Sequence, residues 1–129
     1  MRSLALLSLL PLLLIAVFRL GGVFAIRCHP CTCTRDKRMA DCTDRNFDRV
    51  PVLSAHIRGR VVELDLSGNR LELVDLEMVA RLYPGLELLM VERQVTRRGC
   101  VNSRRRIDDL NLRFDVTGLC PQRRQVIIV

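Results

Sequence analysis

The sequence predicts a small α/β domain in which two or three short parallel strands stack as a repeat solenoid behind a disulfide-bonded hairpin cap. Three observations carry that expectation. An apolar leader opens the chain, six cysteines all follow it, and the stretch Val61-Val62-Glu63-Leu64-Asp65-Leu66-Ser67-Gly68-Asn69-Arg70-Leu71 has a spacing that returns after Pro84-Gly85.

The leader comes first. Arg2 begins a short positive region and residues 3–18 run almost wholly apolar, which is a signal-peptide profile. Val23 and Ala25 are small and stand at the −3 and −1 positions that a signal peptidase reads, so cleavage is expected before Ile26, with 1–25 removed. An uncleaved anchor is the competing reading, since a stretch of about 18 apolar residues can span a bilayer. Arg19 interrupts the stretch and favours cleavage. Membrane contact is expected only if the leader is retained, and the chain is expected to be secreted and extracellular.

The cap, residues 26–54, follows. About a hundred residues remain after the leader, enough for one domain whose core is marginal without covalent help. Cys28, Cys31, Cys33, Cys42, Cys100 and Cys120 supply it, because an even cysteine count in an exported chain reads as a disulfide framework. Spacing alone leaves fifteen pairings open. Cys28-x-x-Cys31-x-Cys33 beside His29 is also a soft-metal pattern, but an oxidising export route removes the thiolates that a metal needs. No metal or other cofactor is expected.

Residues 55–96 hold the repeat. Leu64 and Leu66 lie two apart, so on a strand they share the inward face while Glu63 and Asp65 point outward. Asn69 falls where the strand ends, and its amide can satisfy turn backbone that would otherwise be buried unpaired. Val74, Val79 and Leu82 suit an apolar return that Pro84-Gly85 breaks. Leu86, Leu89 and Val91 then repeat the positions of Val61, Leu64 and Leu66, with Gln94 in the asparagine slot. A third copy is expected at Ile107, Leu110 and Leu112, with Asp115 in that slot.

The cysteine cluster, Ala40-Asp41-Cys42 and Val50-Pro51, followed by a gapless L-x-x-L-x-L-x-x-N-x-L match, resembles extracellular leucine-rich-repeat proteins with a cysteine-rich N-terminal cap. The resemblance covers about residues 28–94. It implies pairs Cys28–Cys33 and Cys31–Cys42, leaving Cys100 and Cys120 to close the other end. It also implies a binding module for an extracellular protein ligand or receptor, reached through outward side chains: Glu63, Asp65 and Ser67 from the first strand, Met90 and Glu92 from the second. The sequence departs from that pattern in having few repeats and no four-cysteine C-terminal cap.

The last segment, 97–129, is basic and closed by two cysteines. Twenty of the 21 basic residues are arginine, and loss of Arg2 and Arg19 leaves 19 against 14 acidic residues, a net +5. Arg97, Arg98, Arg104, Arg105 and Arg106 are the candidates for an electrostatic surface, arginine's planar fork being suited to sulfate or carboxylate. They support a second expectation, a secreted cationic effector acting on sulfated glycans or anionic membranes. Nucleic acid is not expected, since aromatics are 4% of the chain and no nucleic-acid motif occurs. Catalysis is not expected either. Glu63, Asp65, Glu87 and Glu92 have no burial partner or neighbouring base in the sequence pattern, and His29 and His56 stand apart from any nucleophile motif.

Overall fold

The computed structural model describes residues 26–122. The leader, with its expected cleavage, and residues 123–129 lie outside the described residues.

The chain enters as an antiparallel hairpin of β1 (Ile26–Cys28) and β2 (Cys31–Cys33), and β2 pairs antiparallel with β3 (Met39–Asp41). From β3 onward the pairing is parallel, through β4 (Glu63–Asp65), β6 (Leu88–Met90) and β8 (Asp115–Thr117). Six strands thus form one mixed sheet in chain order. The intervening returns carry α1 (Ala55–Arg58), β5 (Leu73–Val74), α2 (Leu76–Leu82), β7 (Asn102–Ser103) and a 3-10 turn at Ile107–Asp109. β5 and β7 pair in parallel as a second, two-stranded sheet.

Alternation sets the core. Ala40, Leu64, Leu89 and Val116 are register partners, the first three fully buried, and Leu66 and Val91 continue the apolar layer toward the strand ends. Val74, Leu76 and Val79 close that layer from the returns, with Leu82 packed partly buried beside them. α2 begins where the Asp75 carboxylate accepts the Met78 N–H at 3.2 Å, an N-cap that satisfies a donor the helix itself leaves unpaired. It ends before Pro84, which cannot continue it. Tyr83 lies beneath, its hydroxyl donating to the Pro51 carbonyl at 2.6 Å and accepting the Leu53 N–H at 3.4 Å, so the phenol ties the return to the cap loop.

The bridges join Cys28 to Cys33, Cys31 to Cys42 and Cys100 to Cys120. No cysteine is left free. Among the described residues no helix is long and apolar enough to cross a membrane.

The third strand is not where the sequence spacing places it. Ile107 lies in the 3-10 turn and is 37% exposed, Leu110 and Leu112 pack against the core from the return, and Asp115 is a strand residue beside Leu88 rather than a turn residue. The physical reason is a longer link into the second return, where Leu89 to Asn102 of β7 takes 13 residues against 9 from Leu64 to its β5 counterpart Leu73. Leu64 to Leu89 takes 25 residues, whereas Leu89 to Val116 takes 27. β8 also carries residues of the basic segment into the common sheet.

Candidate functional site

The amides at the strand ends hold the levels together. Asn69 Nδ2 donates to the carbonyls of Cys42 and Leu66, both at 2.8 Å, and of Ser67 at 3.3 Å, while its Oδ1 accepts the N–H groups of Arg45 at 2.9 Å and Phe47 at 3.1 Å. Gln94 does the same one level on. Its Nε2 donates to Leu66 and Val91 carbonyls at 2.9 and 3.0 Å, and its Oε1 accepts the Leu71 N–H at 2.9 Å. Both amides are buried, and each occupies the slot the repeat spacing predicts. In each buried amide both the NH2 group and the oxygen find partners, which offsets the cost of desolvation and fixes the turn.

With Leu64 and Leu89 turned inward, their strand neighbours form the outer face. Register sets out two rows: Met39, Glu63, Leu88, Asp115, and Asp41, Asp65, Met90, Thr117. The four parallel strands contribute no basic residue to either row. Leu88 and Met90, both half-buried, therefore sit as an apolar centre between the β4 acids and Asp115. Of these, the sequence pattern singled out Glu63, Asp65 and Met90. Leu88 was readable from the same alternation, as the residue before inward Leu89. Met39 and Asp41 were marked only by Ala40 two residues before Cys42, and Asp115 and Thr117 were hidden by the misplaced third copy.

The outer face differs from the expectation at its strand ends. Asp65 Oδ1 accepts the Ser67 N–H at 3.0 Å, as Asp41 Oδ1 accepts the Thr43 N–H at 3.0 Å and its hydroxyl at 2.6 Å. These carboxylates are thus partly committed to turns. Ser67 is only 5% exposed and its hydroxyl accepts the Glu92 N–H at 3.2 Å, so it joins two levels instead of facing solvent. The alternation that would have turned it outward ends with β4 at Asp65, and Gly68, with φ +71°, redirects the chain. Glu92 is exposed, beyond the end of β6.

The arginines gather elsewhere. Pairing of β7 with β5 carries the Arg104–Arg106 run past the start of α2. Arg104 Nη1 lies 3.4 Å from Asp75 Oδ2, Arg105 Nη1 lies 3.0 Å from Glu77 Oε1, and Arg106 Nη2 lies 3.8 Å from Asp108 Oδ2. The Met78 N–H, and after it the charge and hydrogen bond of Arg104, hold Asp75 below the usual carboxylate range. Burial instead pushes the Tyr83 phenol up. Arg98 joins the run around a cleft of about 790 Å³ that also exposes Asn102 and Ser103 and runs along the Cys100–Cys120 bridge. Arg97 lies off that cleft, in a smaller neighbouring hollow with Glu72, Leu73 and Thr96. The structure therefore separates the candidates into two surfaces, an acidic and apolar sheet face and a cationic end. No family model, curated protein or solved structure matches the chain.

Proposed function

We propose that this chain is a secreted, extracellular leucine-rich-repeat binding module, without catalysis of its own, whose outer sheet face holds a basic and apolar segment of a protein ligand or receptor. The observation that carries the reading is the centre of that face, where Leu88 and Met90 stand half-exposed between Glu63 and Asp65 on one side and Asp115 and Thr117 on the other. Apolar groups at the middle with charge around them follow the usual anatomy of a recognition surface. Opposite charge on the partner steers its approach and selects its register.

The repeat assignment draws its support from the parallel strands β4, β6 and β8 and from Asn69 and Gln94, which bond equivalent carbonyls at successive levels. The extracellular assignment draws on the three bridges, which persist in oxidising compartments. Ser67 is left out of the binding face because its hydroxyl already serves the Glu92 N–H.

The test is a binding screen of the secreted chain against a panel of extracellular receptor domains, repeated with Met90→Glu and Glu63→Arg combined. A specific partner should lose about tenfold or more in affinity, the size expected when one well-buried contact of about 1.4 kcal/mol is removed. Partners that bind the variant as tightly as the unaltered chain would sink the reading.

A further inference from the structure

We infer that the cationic cleft at the carboxyl end of the sheet is a binding site for a sulfated glycan chain, separate from the sheet face and independent of what that face binds. Its walls come from two segments, residues 98–106 and 119–122, that the fold brings together. Arg98 precedes β7, the Arg104–Arg106 run follows it, and the Cys100–Cys120 bridge lies along the cleft, with Cα atoms 5.0 Å apart. The bridge, the parallel pairing of Val101 with Leu119 and the Cys120 N–H donated to the Val101 carbonyl at 2.8 Å fix the two segments against each other.

The guanidinium groups are aimed without being used up. Arg104 and Arg105 each place one terminal nitrogen on a carboxylate near the start of α2, yet their side chains remain 67% and 65% exposed. A guanidinium has five N–H donors in a rigid fork. One exposed ion pair is weak and exchangeable, but it orients the fork and leaves the other donors facing the cleft. Arg98 makes no ion pair among the described residues. The cleft lining itself is cationic, with Arg98 and the run of three on it and no carboxylate among its residues.

The ligand chemistry follows from the lining. Guanidinium forks bind sulfate oxygens in pairs through short, charge-assisted hydrogen bonds. Asn102 adds an amide and Ser103 a hydroxyl oxygen, both suited to sugar hydroxyls. A cleft of about 790 Å³ is concave and of ligand-site size. A bilayer surface, by contrast, presents headgroups in a plane that a cleft cannot follow.

The probe is a heparin hexasaccharide, titrated calorimetrically into the secreted protein at 0.05–0.15 M salt. The unaltered chain should bind. Arg98→Ala with Arg106→Ala should weaken binding about tenfold or more, each lost charge-assisted bond contributing on the order of a tenfold factor. Arg35→Ala with Arg49→Ala removes the same charge from the opposite end of the sheet and should change affinity less than about twofold, since distant exposed charges are screened. Met90→Glu with Glu63→Arg should leave the hexasaccharide affinity intact, which keeps this site apart from the proposed protein-binding face. Equal losses in the two arginine pairs would reduce the effect to net charge and overturn the site. So would an absence of binding, or tighter capture by anionic vesicles or polyglutamate than by the hexasaccharide.

Discussion

The two ends of the sheet are closed by the same chemistry in opposite settings. At the amino end, bridges spanning 5 and 11 residues are sunk into the core, with Cys28, Cys31, Cys33 and Cys42 no more than 3% exposed. At the carboxyl end a single bridge spans 20 residues and both of its cysteines are half-exposed. The chain-entropy account gives about 3 kcal/mol for a loop of 11 or of 20 residues, and differs between them by only about 0.5 kcal/mol. Loop length therefore cannot separate the two ends. Burial can, because a core sulfur also fills space that truncation would leave empty. The amino-terminal bridges act as core residues, while the carboxyl-terminal bridge acts as a clasp beside the cationic cleft.

That contrast breaks down or sharpens under four measurements. The largest effect is expected from Cys31→Ala with Cys42→Ala, about 4–5 kcal/mol by urea unfolding, against about 3 kcal/mol for Cys100→Ala with Cys120→Ala. Equal losses would show that entropy alone sets both ends. Next comes Asn69→Ala, which strips partners from the Arg45 and Phe47 N–H groups and from the Cys42 and Leu66 carbonyls, at a cost of about 3 kcal/mol or more. Gln94→Ala should cost about 2 kcal/mol, since it releases one N–H beside its carbonyls. A larger loss at Gln94 would place the stronger joint at the carboxyl end.

A third measurement reads order instead of size. Under limiting reductant, mass mapping should find the half-exposed Cys100–Cys120 bridge opened before either core bridge, as access governs exchange. The smallest effect belongs to Tyr83→Phe, about 1 kcal/mol, from loss of the hydroxyl bonds to Pro51 and Leu53. Burial raises the Tyr83 pKa in the folded chain, so its contribution is complete below the unfolded phenol's value near 10 and declines as pH rises through the folded one. Unfolding scans from pH 8 to 12 should lose that alkaline slope in the phenylalanine variant.

What was legible in the sequence is what depends on short range. The inward pairs Leu64 with Leu66 and Leu89 with Val91, and the amide slots at Asn69 and Gln94, all lie within a dozen residues and follow from strand alternation plus a turn. The Cys28–Cys33 and Cys31–Cys42 bridges are those that the family resemblance implied, a pattern of cysteines and not a deduction from spacing, and Cys100–Cys120 is the pair they leave over. What stayed hidden depends on the lengths of the returns. β8 was displaced because the longer link between β6 and β7 could not be foreseen, and Ser67 proved buried because the end of β4 is set by where the next level bonds to it. The pairing of Arg104 and Arg105 with Asp75 and Glu77 spans almost thirty residues, and no local pattern marks it. Gly118 carries the same lesson. A Cβ there would come within 2.6 Å of the Glu92 backbone nitrogen, a constraint visible only once β8 lies against β6.

Strand order in the main sheet is the order of the chain, with no strand inserted between two earlier ones. Assembly can then run from one end. The hairpin and its two short-range bridges need nothing beyond Cys42 to close, and each later strand meets a finished template as it arrives. Pairings that would be costly if sought across a whole collapsed chain become a series of single additions, each closing a loop of modest length. A vectorially emerging chain could complete this sheet without undoing any earlier step, and the Cys100–Cys120 bridge would be the last to form.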